Sequence, residues 1–576
     1  MSHTDTRARL NVGLTAHRDL LPGEEPALRA AVRAFFLNLR EQFPELPLRL
    51  ISALAEGGDQ LVAEEALALG IELMVPLPMA QAEYERDFSD PAVLRRFQTI
   101  LAKAVVRVLP LAPGISSEAV AVRGEIRNRQ YAQLGMFVSS HCQLLLALWD
   151  GNSNGAMGGT AQVVEFHLHD TMPNLSLDQI APNLLADDES DLIFHISCSR
   201  RLGAPGMPPR LPPLHTRWVT QTDEHDASGG IPEHYVHVFR QLEMFNADLH
   251  RHASEIETDL STLLTAPLPG APSQNVATIE RRFHAADWLA IHFQRRVRVS
   301  LLCTHVIAAL MGMAFILYSD ATPLRIYLAA FLGLFLLGWL LTIIGQRRQW
   351  QRKYLDYRGL AEGLRVELYW RIGGVEIPPN SSLGYDSFLQ KQDVDLSWIR
   401  HAMRDTSLLR DESFVADPRW LAWVIENWIG DRLGKGGQLD YFQCCSLQRE
   451  RSYRTTTHLS NLALLAGLTG ALVLLIGGYR LHAIAQQALV LAMGLLPLLA
   501  GLHEAYSYKR ADKELIKQFR FMRRLFESCR ERLNRSRGET ESRQLLLALG
   551  RACLEEHAEW ILLHRERPLE NAQMSG

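Results

Sequence analysis

The spacing of apolar and polar positions divides this chain into two parts. Up to about residue 200, apolar residues come in short runs, RLNVGLT, LRLISAL, IELMVPL, AVVRVLP and QLLLALW, each followed by a turn and a segment of helical period. Short continuous runs bounded by turn residues predict strands buried on both faces, and their alternation with helices predicts an α/β domain with a parallel, doubly wound sheet. The segment Asp191 to Arg200, DLIFHISCSR, adds one more strand after an irregular stretch containing ADDES.

The second part reads differently. Four windows, Val299 to Ser319, Ile326 to Gly345, Leu459 to Gly478 and Ile484 to Leu502, contain no Asp, Glu, Lys or Arg. A helix needs about 20 apolar residues to cross roughly 30 Å of hydrocarbon, so each window predicts a transmembrane helix. The first two are joined by DATPLR and read as a tight hairpin, and the last two repeat it, giving an all-α membrane region of four helices. Gln486, Gln487 and Pro497 make the fourth window the least apolar. Ala308 with Gly312, and Ala466 with Gly470, have the small-xxx-small spacing that lets membrane helices approach closely. His305 lies inside the first window and is expected to be neutral and hydrogen-bonded.

Basic residues flank both hairpins. QRRVR (Gln294 to Arg298) and QRRQWQRK (Gln346 to Lys353) bracket the first, QRERSYR (Gln448 to Arg454) and YKRADK (Tyr508 to Lys513) the second, while each connecting turn carries a single arginine. Positive charge stays on the cytoplasmic side, which predicts a multi-pass membrane protein with both termini cytoplasmic and the lipid bilayer as its first partner; the resemblances given below imply the bacterial inner membrane. After the first hairpin, Leu360, Leu364 and Leu368 form one helical face, and ELIKQFRFMRRLFESCRERL follows the second, so a helical stalk is expected under the membrane. Gly- and Pro-rich stretches, DEHDASGGIPEH and APLPGAPSQN, read as loop and linker. The expected division is a ligand-binding domain over 1–265, a linker over 266–277, the first hairpin with its helices over 278–378, a cytoplasmic amphipathic segment with four tryptophans over 379–443, and the second hairpin with its C-terminal helix over 444–576.

Composition narrows the function. A net charge of -4 with 22% charged residues argues against a nucleic-acid partner. The seven cysteines show no CxxC spacing and no secretory signal precedes them, which predicts neither a disulfide framework nor a zinc site. His167 and His169, two apart on a helix, face different ways, so no metal is expected there.

Candidate chemistry collects at three strand ends, where α/β sheets bind ligands and where helix N-termini direct free N–H groups at anions. In GLTAHRDL, Gly13 is read as permitting a tight turn, with Thr15, His17 and Arg18 as donors to a phosphate or ribose. In SALAEGGDQLVAEEAL, Glu56, Gly57, Gly58 and Asp59 lead into a helix that Asp59 is placed to cap. In LWDGNSNGAMGGTAQVVEF, Asp150 ends a strand, and Gly158, Gly159 and Thr160 open a helix carrying Glu165.

Two resemblances attach to these residues. AHRD at Ala16 to Asp19, ALAEGGDQ at Ala53 to Gln60 and GGTAQVVE at Gly158 to Glu165 resemble the three turns that line the nucleotide site of the SLOG superfamily. Those are Rossmann-like domains related to the lysine-decarboxylase-like phosphoribohydrolases, and the likeness spans about residues 9 to 200. The hydrolytic relatives carry an arginine on the helix before the last turn, which the resemblance implies for Arg127, Arg129 or Gln130 in RGEIRNRQYAQLG, with Arg127 and Gln130, three apart on one helical face, as the choice. The hairpin followed by YRGLAEGLR, and further on WIGDRLGKGGQLDYFQ, resembles the SLATT domain, whose hairpins are proposed membrane-disrupting or pore-forming effectors in bacterial conflict systems.

Together these imply a membrane-anchored cytoplasmic sensor of a nucleotide-derived second messenger, acting on membrane integrity in antiphage defence. It would act as a homo-oligomer, since four helices with almost no intramembrane charge make a poor conduit. No further cofactor is implied. The alternative is a membrane-tethered N-glycosidase acting on a nucleotide or NAD, with Glu165 as catalyst and Arg127 as clamp. Glu165 stands five residues after Thr160, displaced from the acidic pair of the hydrolytic relatives, so binding without turnover is expected.

Overall fold

A computed structural model of the chain describes residues 6–112, 114–152, 157–170, 191–201, 210–259, 263–264, 266–321, 323–375, 388, 396–408, 417–431, 433, 435–477 and 481–566. The chain forms two compact units: Met1–Leu260 with Ser273–Arg282 and Glu376–Phe414, and Ser261–Pro272 with Phe283–Val375 and Val415–Gly576. The segment read from sequence as one cytoplasmic stretch, 379–443, is thus shared between them.

The first unit is built on eight strands: β1 Leu10–Ala16, β2 Leu48–Ile51, β3 Glu72–Leu77, β4 Val105–Val108, β5 Leu144–Trp149, β6 Ile193–Ser197, β7 Thr216–Val219 and β8 Glu224–Asp226. Between and after them run α1 Glu25–Gln42, α2 Gly58–Ala68, α3 Gln81–Tyr84, α4 Pro91–Leu101, α5 Ser117–Val120, α6 Glu125–His141, α7 Thr160–His169, α8 Glu233–Arg251 and α9 Ala253–Thr258. The remaining helices are α10 Gln274–Ile316, α11 Arg325–Arg348, α12 Trp350–Ile372, α13 Ser397–Ser407, α14 Pro418–Val424, α15 Gly437–Gly477, α16 Ala483–Lys509, α17 Asp512–Arg535 and α18 Glu539–Glu566.

The strand order is β4-β3-β2-β1-β5-β6-β7-β8. The chain steps outward from β1 to β4 and then returns to lay β5 on the other side of β1, so the order reverses between β1 and β5. Strands β1 to β6 are parallel, but β7 pairs antiparallel with β6 and β8 antiparallel with β7. The sheet is therefore mixed, where the sequence pattern predicts a parallel one. The described residues between β6 and β7 hold no helix, and a strand reached without a crossover pairs antiparallel.

Gly13 corrects a second expectation. It lies inside β1, and a Cβ there would fall 2.7 Å from Cys142 Sγ and 3.0 Å from Val138 Cγ1, so its role is to let α6 lie flat on the sheet. On the opposite face Phe35 of α1 stacks on Phe194 at 4.6 Å, and Phe194 meets Trp218 edge-on at 4.7 Å.

One carboxylate joins three distant segments of this unit. Asp405 on α13 is wholly buried and pairs with Arg49 on β2 and with Arg282 on α10, 2.7 Å away. Arg49 also reaches Glu72 at 2.9 Å, and Arg282 donates to the carbonyls of Thr6, Arg7 and Ala402.

In the second unit, four helices are long and apolar enough to cross a membrane, and at most 17% of their most apolar stretches is buried. Leu336, Trp339, Leu468 and Ile476 stand exposed along them, a surface that suits hydrocarbon and not water. Glycines set the packing. A Cβ on Gly312 would meet Leu498 at 2.3 Å, one on Gly494 would meet Ile316 at 3.2 Å, and one on Gly467 would meet Pro497 at 3.1 Å. Small residues let helices associate where apolar burial offers no gain over lipid. Gly470 faces Met493 and Gly338 faces Ile307 in the same way. His305 Nδ1 lies 2.8 Å from the Leu301 carbonyl one turn back.

The hairpin repeat extends to a detail of backbone. The outgoing helix of each hairpin breaks at one left-handed residue, Gln349 after α11 and Ala511 after α16, before the charged helix begins. Trp370 of α12 donates to the Leu546 carbonyl at 3.0 Å, and a Cβ on Gly550 would lie 2.4 Å from its ring.

Replacing Asp405 by alanine leaves two arginines buried without their shared counter-charge, which costs about 3–5 kcal/mol. The N-terminal unit of Asp405→Ala should melt roughly 10 °C below wild type in a thermal scan of the detergent-solubilised protein. An unchanged transition would show that the carboxylate does not hold these segments together.

Candidate functional site

Beyond the carboxyl ends of β1 and β2 lies a cavity of about 220 Å³ in the first unit, lined by residues of three loops and of α6. Leu14, Thr15 and Ala16 of β1, one of the two strands between which the sheet order reverses, line it, and such folds bind ligands at that reversal. The pairing of β1 with β5 continues one step past the strand, as the His17 N–H donates to the Leu148 carbonyl at 3.0 Å. Beyond that point the chain turns, and the loop after β2 is pressed against it.

Gly57 makes that contact possible. Its φ is +83°, and a Cβ there would sit 2.1 Å from the Arg18 carbonyl oxygen. Only glycine fits, both for the left-handed backbone and for the approach. The Gly58 N–H donates to the His17 carbonyl at 3.0 Å, so the two loops are locked by backbone and the Arg18 side chain is left to face the cavity.

Arg18 is exposed, and its guanidinium lies 5.5 Å from the centre of the Tyr131 ring. Among the described residues it makes no hydrogen bond or ion pair. Five N–H donors in a planar fork thus stand ready for a carboxylate or phosphate. Tyr84 and Tyr131 supply aromatic wall. The Tyr84 hydroxyl donates to the Ala53 carbonyl at 3.1 Å, and that of Tyr131 to Asp87.

His17 also lines the cavity. Its Nε2 lies 3.0 Å from Asp150 Oδ1, to which it donates, with the Asp150 main-chain nitrogen 3.2 Å away. Burial lowers the His17 pKa, an effect the nearby carboxylate only partly reverses, so the ring is neutral at pH 7. Asp150 stays ionised, because the Asn152 N–H and His17 outweigh its burial and bring its pKa below the usual carboxylate value. Asp150 therefore orients His17 from behind the cavity wall.

Asp59 is buried on the cavity floor, and burial pushes its carboxyl up to about 7 despite hydrogen bonds from the Ala55 N–H and Ser52 hydroxyl, 3.3 Å each. It does not cap α2. Gly57 holds the N-cap position, and Asp59 folds back onto the turn that carries it. Thr15 is buried at the end of β1 and reaches the cavity, whereas Glu56 is half-buried and off its wall.

The third loop closes the site. Gly158 has φ +73° and would bring a Cβ within 2.8 Å of Tyr131 Cβ, so this turn too is pressed on α6. Gly158, Gly159 and Thr160 line the cavity at the start of α7, where main-chain N–H groups and the helix dipole favour an anion. Residues 153–156 of this loop lie outside the described residues.

Three further expected site residues, besides Gly13, Glu56 and Asp150, stand off the cavity wall. Arg127 is buried off the cavity wall, its guanidinium taken up by Glu83 at 2.9 Å, Asp87 at 2.8 Å and the Val120 carbonyl at 2.7 Å. Gln130 is wholly buried and ties loops together, donating to the carbonyls of Pro78 and Pro110 and accepting from the Ala112 N–H. Both positions clamp the fold and leave no donor for a ligand. Glu165 is exposed on the far side of α7. Sequence reading missed Tyr84, Tyr131 and Arg200, which line the cavity. Tyr131 follows Gln130 directly and was legible only as one more position on α6.

Residues 281–371, the first hairpin and the helix after it, match a family model described as a protein of unknown function, DUF4231. No curated protein matches the chain.

The raised Asp59 pKa sets a pH dependence. In the fold the acid is neutral up to about 7, in the unfolded chain only up to about 3.8, so the stability held by the neutral form is lost as pH rises through this window. Compared with Asp59→Asn, the wild type should lose thermal stability from about pH 4 to about pH 7 and no further above about pH 8. A difference between the two that does not change with pH would place the Asp59 pKa in the ordinary carboxylate range.

Proposed function

We propose that the protein is a membrane-anchored sensor whose N-terminal unit binds a phosphate-bearing, nucleotide-derived ligand and whose helical hairpins alter membrane permeability in response. The observation that carries this reading is Arg18, a guanidinium facing a cavity with no hydrogen-bonded or ionic partner among the described residues. Guanidinium donors that the protein leaves unspent form charge-assisted hydrogen bonds when a ligand supplies an anion. The glycine turn at the start of α7 makes the same wall hospitable to phosphate, and Asp59, its carboxyl pushed up to about 7, carries only part of a negative charge at neutral pH. At about 220 Å³ the cavity is smaller than the roughly 300–1,000 Å³ typical of drug-sized ligands, which suits a phosphate and sugar with the rest of the molecule outside.

The basic runs at the ends of both hairpins support an orientation with the N-terminal unit and both chain termini on the cytoplasmic side, and the resemblance to SLATT domains supports a bacterial inner membrane as the compartment. A homo-oligomer is the conducting form, because four helices with so few polar residues enclose no path for ions. Coupling requires that the ligand favour one arrangement of the hairpins over another, and α10 supplies continuity, since its first residues belong to the ligand-binding unit. The resemblances to SLOG and SLATT domains support a role in conflict between bacteria and phages. Turnover is not part of the proposal: Glu165, the acid a glycosidase would use, lies off the cavity, and Arg127 is saturated.

The test is ligand binding by the full-length protein in detergent, read by thermal shift with ADP-ribose, its cyclic forms, NAD and cyclic di- and trinucleotides. A ligand at about 100 times its dissociation constant stabilises by roughly 2.7 kcal/mol. Arg18→Ala should weaken that ligand by about 10- to 100-fold, the value of one charge-assisted hydrogen-bonded contact, and the ligand should be recovered intact by chromatography. Unchanged affinity in Arg18→Ala would remove the residue on which the reading stands, and cleavage of the ligand would convert the sensor into an enzyme.

A further inference from the structure

The second unit contains a cavity of about 540 Å³, more than twice the volume of the one in the first unit and independent of it. Its walls come from α10, α12, α15, α16, α17 and α18. We propose that it is a binding site for a phosphate group, carried by the headgroup of an anionic membrane lipid or by a soluble phosphate compound.

The lining is cationic. Arg298, Arg358, Arg365, Arg449, Lys509 and Arg510 all face the cavity, against the acids Glu362 and Glu556. Glu556 does not offset them: burial and the neighbouring Glu362 push its carboxyl up to about 8, so it is uncharged at pH 7. His557 is uncharged too, burial having lowered it to about 3. Two further acids stand behind the wall, Asp287 paired with Arg358 at 2.7 Å and Asp512 paired with Arg449 at 2.8 Å. Four of the six cations, Arg358, Arg365, Arg449 and Arg510, share the three acids Glu362, Asp287 and Asp512, and Arg298 has none of the three, so positive charge is in excess.

Arg298 is the clearest of them. It makes no ion pair or hydrogen bond among the described residues, and it immediately precedes the first apolar window. Deeper in the wall, Arg365 Nε, Gln518 Oε1 and His557 Nε2 are buried without a hydrogen-bond partner. Unpaired polar atoms on a cavity wall mark a place where a polar ligand gains bonds the protein does not make with itself.

Position separates the two sources of phosphate. Leu301, the third residue of the first window, lines the cavity, and so do Lys509 and Arg510 at the end of α16. The cavity therefore opens at the depth where hydrocarbon gives way to headgroups, and Tyr354, Tyr441, Tyr506 and Trp560 on its walls are the amphipathic aromatics that suit that layer. This depth favours the lipid headgroup as the natural occupant.

The experiment uses full-length protein, delipidated in a neutral detergent and titrated with short-chain phosphatidylglycerol, short-chain phosphatidylcholine or inorganic pyrophosphate. Bound molecules are counted by native mass spectrometry. Phosphatidylglycerol should bind about tenfold tighter than phosphatidylcholine, and Arg298→Ala should lose about that factor while melting at the wild-type temperature without ligand. Lys509→Gln, read in the same way, is the second variant, and Arg325→Ala in the hairpin turn is the control that should bind as wild type. Pyrophosphate binding that depends on Arg298, without a preference for phosphatidylglycerol, would assign the site to a soluble phosphate compound. Equal binding of the two lipids with no pyrophosphate binding, or anion binding that neither Arg298→Ala nor Lys509→Gln weakens, would overturn the proposal. Arg18→Ala should leave phosphatidylglycerol binding untouched, which keeps this site separable from the one in the N-terminal unit.

Discussion

The N-terminal unit depends on one ion cluster. Asp405 is sealed from water between Arg49 and Arg282, and each of these side chains is at most 2% exposed. Charges so placed pay a large desolvation cost, which is offset only when each has its partner and its hydrogen bonds. The cluster meets that condition through Glu72 and three main-chain carbonyls. Its consequence is topological: a strand near residue 50, the start of α10 and a helix beyond residue 396 must come together for any of them to be stable. The N-terminal unit is therefore incomplete without sequence that follows the first hairpin.

The arginines of this unit show how burial and pairing separate structural from functional charge. Arg127 and Arg49 are buried with their donors engaged, so each is part of the scaffold. Arg18 is held at the mouth of the cavity by a backbone contact, the approach of Gly57 to its carbonyl, and its side chain is left unspent. A cation fixed by its main chain and free at its tip is the arrangement that anion recognition needs, because the ordering cost is met before the ligand arrives.

Much of the architecture was legible in the sequence because it follows from period and length. The five runs beginning with RLNVGLT appear as β1 to β5, and the uncharged windows appear in the four long exposed helices. The antiparallel β7 and β8 were not legible, since TRWV and EHD are too short to show a period and nothing in them states a direction. Within the site, the turns were found and the side chains only in part. Gly57, Gly158 and Thr160 follow from strand-end chemistry, but whether an arginine is free depends on what folds against it. Arg127 and Gln130 share a helical face with spacing that suits a clamp, and only the positions of Glu83, Asp87 and the proline loops show that they bind the protein itself. Gly13 was misread for a related reason, as a glycine required by close packing looks in sequence like a glycine required by a turn.

The central claim is that occupancy of the N-terminal cavity changes what the hairpins do to a bilayer. It is tested most directly by reconstituting the full-length protein into dye-loaded liposomes, adding whichever nucleotide-derived compound binds it, and following dye and ion release. The account predicts release that follows ligand occupancy in the wild type and is shifted to about 10- to 100-fold higher ligand concentration by Arg18→Ala. Liposomes that stay sealed at saturating ligand, or that leak equally without it, would contradict it.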